Sequence, residues 1–177
     1  VIGVALTGTA PAELAKKCWM YFPEDDCPFY RVTVFSNYAP SNVPDPARFW
    51  SLLAEVSESS WLTRDSRSLV EDTVQGLLNT GLIASRAQVH HVWQRRLEHG
   101  YPVPTLGRDQ ALAEMLTILA SHDIFSRGRF GAWKYEVSNQ DHSLAQGVEF
   151  IDRCLTGAPE RTLDDPQGVN GRGHARS

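Results

Sequence analysis

The densest run of chemically versatile side chains lies between Ser126 and His142, SRGRFGAWKYEVSNQDH. Gly128 and Gly131 let the backbone turn tightly and approach a ligand closely. Arg127 and Arg129 carry guanidinium forks suited to phosphate and carboxylate oxygens, and Tyr135, Asn139 and Gln140 add a phenol and two amides. The periodicity that follows predicts a helix, so these groups converge on a helix N-terminus, where free N–H groups and the macrodipole favour negative charge. An anion or an electron-rich ring edge belongs there; taken alone, the run also reads as a structural strand, turn and helix with surface arginines. A second place is His99-Gly100-Tyr101-Pro102, whose proline-stiffened backbone can fix the Tyr101 phenol against a ligand oxygen or simply pack it. Adjacent His90 and His91 would point to opposite faces of a strand and cannot easily share a metal, so they read as structural or exposed, and no metal site is predicted. Nucleophile-elbow, Walker, H-E-x-x-H and G-x-G-x-x-G motifs are absent from the sequence.

The elements that must carry these groups can be read from periodicity. Val1–Leu6, Cys18–Phe22, Phe29–Phe35, Trp50–Ser57 and Val89–Arg96 are predicted strands, the second and third joined as a hairpin by the acidic, proline-bounded turn PEDDCP. Apolar residues at helical spacing predict helices over 68–79, 109–120 and 142–156, the second capped near Asp109. Asp141 is the expected N-cap of the third and Gly157 its stop. Ile124–Phe130 is predicted as a short strand that delivers the arginines. Residues beyond Pro159 turn to Gly, Pro, Asp and Arg without periodicity, and 158–177 is expected to be a mobile tail.

Composition sets the outer limits. A chain of 177 residues with 42% hydrophobic and 21% charged residues is ordinary for a globular domain and long enough to bury a core without disulfides or metal. A net charge of −4 and the lack of a polybasic run argue against a general nucleic-acid or membrane-surface binder. Three cysteines without C-x-x-C spacing point to a reducing compartment, hence the cytoplasm. No apolar stretch is long enough to span a bilayer.

Four stretches, KCWMYFPEDDCPFYRVTVFSNY (17–38), WSLLAEVSES (50–59), RRLEHGYPVPTL (95–106) and SRGRFGAWKYEVSNQDHSLAQGVEFID (126–152), closely resemble the eukaryotic, fungal-type UDP-galactopyranose mutases. The resemblance extends over nearly all of residues 1–163 and implies a C-terminal portion, since the family's FAD-binding fold opens with the dinucleotide fingerprint this sequence lacks. It implies an α/β fold: a mixed sheet and helices of a substrate domain over 1–122, then the terminal strand and helix of a glutathione-reductase-like FAD-binding domain over 123–157. The family interconverts UDP-galactopyranose and UDP-galactofuranose, a cell-wall sugar precursor, through a sugar adduct on N5 of reduced FAD. By resemblance, Tyr101 and Tyr135 contact the UDP diphosphate and Arg129 is the catalytic residue beside the flavin. Asn139 lies near both substrate and flavin, and Gly128, Arg129 and Gln140 complete the FAD contacts. The partners implied are UDP-galactose and, in a full-length parent, a second copy of the chain. The family's first strand usually reads like VIGVGVRG, whereas this sequence has Thr7 where the arginine stands. That departure, with the missing fingerprint, keeps open a non-catalytic remnant that at most binds nucleotide or a partner chain. An amine-oxidase-like flavoprotein would not share the HGYP and NQDH words.

Overall fold

Ile2, Val4 and Leu6 alternate with Gly3, Ala5 and Thr7, and a period of two in a β-branched run makes a strand with one apolar face. In the computed structural model, which describes residues 1–171, this segment is β1 (Ile2–Thr7), and its three apolar side chains are fully buried. It lies inside a five-stranded sheet with β2 (Trp19–Tyr21), β3 (Arg31–Val34), β4 (Phe49–Glu55) and β5 (Val89–Gln94), in the order β2-β3-β4-β1-β5. Every strand pair is antiparallel, so the expected mixed sheet is corrected to an antiparallel one. The physical reason is connectivity: no pair of neighbouring strands here is joined by the helical crossover that a parallel pair requires.

Register puts Val32, Ala54 and Ile2, and likewise Val34, Leu52, Val4 and Val92, on one face of the sheet. Helix α1 (Leu69–Asn79) covers that face through Val74 and Leu77, joined by Phe29, Leu82 and Ile83. Gly76 sits where α1 crosses the hairpin turn; a Cβ there would lie 2.8 Å from Cys27 Cβ and 2.9 Å from Pro28 Cδ. The opposite face carries Trp19 and Tyr21 beside Arg31, which grips Glu55 through Nε at 2.9 Å and Nη2 at 2.6 Å, with its guanidinium 4.4 Å from the Trp19 ring centre. Between Ala5 and Leu6 the register against β5 slips, leaving His90 unpaired in a bulge. These strands and α1 make the compact unit Val1–Leu97.

The second unit begins at Glu98. It holds α2 (Arg108–Ser121), α3 (Gln140–Thr156), α4 (Arg161–Asp164) and α5 (Pro166–Gly171). Packing therefore divides the chain at Leu97, whereas the partition expected at 122/123 rests on the resemblance and not on packing. Helix α2 starts from Gly107 in the left-handed region, not from an Asp109 side-chain cap. Helix α3 ends as expected at Gly157, φ 77°. Its stripe of Leu144, Val148, Ile151 and Leu155 is exposed, between 53% and 78%, while Gln146 on the other side is fully buried. The segment expected to be a mobile tail forms α4 and α5 up to Gly171, with Glu160, Thr162 and Leu163 buried; residues 172–177 lie outside the described residues. The anchor is electrostatic rather than periodic. Glu160 pairs with Arg127 through Nε at 2.5 Å and Nη2 at 2.7 Å and with Arg153 at 3.1 Å, and Glu149 accepts from the Thr162 N–H at 2.8 Å.

Candidate functional site

The arginine-bearing segment is not the strand its composition predicts. Gly128 adopts φ +83° and its carbonyl accepts the Ala132 N–H at 2.9 Å, so 128–132 closes as a turn. Gly131 is required by close approach, because a Cβ there would sit 2.2 Å from the Arg127 carbonyl oxygen. The chain leaves the turn through Trp133, φ 54°, a left-handed conformation that costs a non-glycine residue about 1–2 kcal/mol. One turn of 3-10 helix, Tyr135–Val137, then leads through Ser138 to α3.

This path brings three of the predicted site residues together. The Arg129 Nε donates to the Ser138 carbonyl at 2.8 Å, and the guanidinium stands 4.8 Å from the centre of the Tyr101 ring. Tyr101 in turn lies 5.4 Å from Tyr135, ring centre to ring centre, at 59°. Among the described residues no carboxylate neutralises Arg129, and neither tyrosine hydroxyl has a hydrogen-bond partner. One unpaired cation beside two free phenols can accept the oxygens of a phosphate or diphosphate through charge-assisted and neutral hydrogen bonds.

Asn139 is the N-cap residue of α3, with φ −68° and ψ 167°, and its side chain makes no capping bond. Asp141, the expected cap, falls in the first turn instead. The reason is the backbone: Asn139 is the last extended residue, and its carbonyl already accepts the Ser143 N–H at 2.9 Å. Asn139 and Gln140 are exposed, and their amides are available beside the uncapped first N–H groups of a 17-residue helix. His142 Nδ1 is buried without a partner. That donor set fits the polar edge of a ring such as a flavin. Thr7 lies in the first unit, its hydroxyl donating to the Gln88 carbonyl at 3.2 Å. His90 and His91 are both exposed. No group of three or more metal-ligating side chains occurs among the described residues.

Sequence reasoning missed two contributors. Ser138 organises the site through its carbonyl and through its hydroxyl, which donates to the Tyr135 carbonyl at 2.9 Å. Gln146 accepts the Gly128 N–H at 2.8 Å and donates to the Val137 carbonyl at 2.8 Å. A polar residue off the apolar stripe of an amphipathic helix reads as solvent-facing, so its burial carried no signal. A cavity of about 920 Å³ between α2 and residues 157–167 is lined by Arg127, Arg153 and Lys134. Those cations are already taken, by Glu160 and by the Leu163 carbonyl at 2.7 Å, which makes it a poorer anion site than Arg129.

The described residues form an α/β segment: an antiparallel sheet backed by a helix in the first unit and, in the second, a phosphate-friendly cluster of Arg129, Tyr101 and Tyr135. No family model matches the chain. Among solved structures it is similar to the crystal structure of reduced UDP-galactopyranose mutase, with 48% sequence identity over 96% of this chain and a TM-score of 0.86. The chain spans 36% of the length of that mutase. No helix among the described residues is long and apolar enough to cross a membrane.

Proposed function

We propose that this chain is the C-terminal part of a flavin-dependent isomerase that interconverts UDP-galactopyranose and UDP-galactofuranose. The observation that carries the reading is the unneutralised Arg129 stacked against Tyr101, with Tyr135 alongside, in a chain 48% identical to a UDP-galactopyranose mutase. The fungal-type words support the eukaryotic branch of that family. Residues 1–122 then belong to the substrate domain and 123–157 complete the FAD-binding domain. A cytoplasmic setting fits three cysteines that are all free thiols, and self-association belongs to the full-length parent.

In this reading the chain's own residues bind and orient. Arg129 and the hydroxyls of Tyr101 and Tyr135 hold the diphosphate. This anchors the leaving group and keeps it at hand for re-addition, so that positioning replaces a bimolecular encounter. Gly128, Arg129, Asn139 and Gln140 would hold FAD, with the positive end of α3 favouring the anionic reduced ring. Reduced FAD, when bound, supplies the nucleophilic nitrogen that reacts at the anomeric carbon. Arg129 offsets negative charge that grows on the departing phosphate oxygen.

A second reading is favoured by Thr7. Its hydroxyl is committed to Gln88 and offers no cation where the family carries one, which fits a chain that binds nucleotide without catalysing. Grafting residues 1–171 in place of the equivalent segment of an active mutase separates the two. Interconversion of the two UDP-sugars by a flavin-loaded chimera, lost on Arg129→Ala, is the expected result. A folded, flavin-loaded chimera that binds UDP but turns over neither sugar would overturn the isomerase reading in favour of the second.

A further inference from the structure

The residue that ties the site together is not one of those that touch its ligand. Gln146 projects from the inner side of α3, is fully buried, and its one amide reaches two segments that the sequence separates. Its Oε1 accepts the N–H of Gly128, and its Nε2 donates to the carbonyl of Val137, each at 2.8 Å. Arg129 follows the first contact by one residue, and Tyr135 precedes the second by two. Arg129 itself closes the loop, since its Nε donates to the Ser138 carbonyl and the Ser138 hydroxyl donates to the Tyr135 carbonyl. The resulting cycle runs from α3 through the arginine turn and the 3-10 turn and back. Each member is satisfied, which gives a buried polar network a single arrangement.

We infer that Gln146 is a positioning residue: it sets the separation between the Arg129 guanidinium and the Tyr101–Tyr135 pair at which an anion is gripped. The inference rests on the proposed nucleotide-sugar reading for the identity of the anion, and on geometry alone for the positioning. Two features favour glutamine. An amide offers a donor and an acceptor on one planar group, as this pair of backbone partners demands. A carboxylate could accept from Gly128 but would face the Val137 oxygen without a proton to give, and an apolar isostere would leave the part-buried Gly128 N–H and the buried Val137 carbonyl without this partner.

The test compares Gln146→Met with Glu149→Ala in the isotopically labelled chain. Glu149 lies on the same helix and its carboxylate accepts from the Thr162 N–H at 2.8 Å and hydroxyl at 2.9 Å, contacts that include no member of the Gln146 cycle, so its loss reports stability alone. Gln146→Met is expected to shift the Arg129 Nε–H resonance, to speed amide exchange at Gly128 at least tenfold, and to raise the Kd for UDP at least tenfold. Glu149→Ala is expected to lower the melting temperature and leave all three unchanged. If Gln146→Met melts lower yet binds UDP within twofold of the parent chain, Gln146 is merely structural and the inference is overturned. If the unsubstituted chain binds no UDP, the nucleotide-sugar reading fails separately. The Arg129 and Gly128 signals then decide: displacement supports positioning, and unchanged signals refute it. Should Gln146→Met not fold, the unsubstituted chain decides, because UDP must slow exchange at Gly128 if that amide belongs to the gripping frame, and unchanged exchange refutes it.

Discussion

Gly131→Ala tests how the turn that presents Arg129 is built. The added Cβ would lie 2.2 Å from the Arg127 carbonyl oxygen, 2.8 Å from its nitrogen and 2.9 Å from its carbonyl carbon. All three are backbone atoms, so no side-chain rotation relieves the clash, and the segment from 127 to 131 must open by about 1 Å to reach ordinary contact distance. Overpacking of this kind costs about 1–3 kcal/mol. With roughly 4–8 °C of melting temperature per kcal/mol in a unit of this size, the second unit is expected to melt about 5–20 °C lower. The same displacement pulls Arg129 from Tyr101 and from the Ser138 carbonyl. A charge-assisted hydrogen bond is worth about 1.5–3 kcal/mol, so UDP affinity should fall about ten- to a hundredfold. Circular dichroism melts and calorimetric UDP titrations provide the measurements. Gly147→Ala is the control: nothing lies within 4 Å of a Cβ there, the site is inside α3, and stability should rise by about 0.5–1 kcal/mol with UDP binding unchanged. A Gly131→Ala chain that melts and binds like the parent would show that the turn is not held by this approach.

Tyr101→Phe and Tyr135→Phe each remove a hydroxyl that has no protein partner among the described residues; stability should stay within about 0.5 kcal/mol, while UDP affinity measured by calorimetry falls about three- to tenfold for each. Glu160→Gln removes the only negative charge shared by Arg127 and Arg153 among the described residues, and breaking a buried pair of this kind is expected to cost up to about 3–5 kcal/mol in a denaturant titration. Arg108, donating to the Glu136 carboxylate at 2.5 Å, lowers the Glu136 pKa from its ordinary value of 4.5. A lowered folded-state value means the pair stabilises above that pH and the contribution disappears as acid titrates the folded carboxylate. Melting temperature measured from pH 6 to pH 3 should therefore fall less steeply for Glu136→Gln than for the parent chain.

Much of the first unit was legible because its pattern and its packing agree. The alternation of Ile2, Val4 and Leu6, the PEDDCP turn and the spacing of Leu69, Val74 and Leu77 all describe elements that the sheet and α1 form. The second unit was less legible because its order comes from charge and from backbone conformation. Ile124–Phe130 has strand composition, but the φ of Gly128 and the approach at Gly131 make it a turn. Residues 160–163 look like a tail until Arg127, 33 positions upstream, is seen to pair with Glu160. The site residues stood out by type and spacing and received their roles by resemblance, and Arg129, Tyr101 and Tyr135 do adjoin one another. Gln146 was invisible because a helix with one apolar stripe gives no sign that its other side is the buried one.

The place of β1 in the sheet has a consequence for the chain during synthesis. Ile2 pairs with Ala54 on one side and with Gln94 on the other, so this strand emerges before the other four strands of the sheet and is completed last. At about 5–20 residues per second, the ribosome needs roughly 5–20 s to supply β5 after β1 has appeared. Throughout that interval one flank of an apolar strand offers unpaired N–H and C=O groups, a template for pairing with a neighbouring nascent chain. Slow codons or low temperature before residue 94 would lengthen the exposure. The yield of native protein should then depend on how quickly that stretch is translated and on whether a chaperone shields the strand meanwhile.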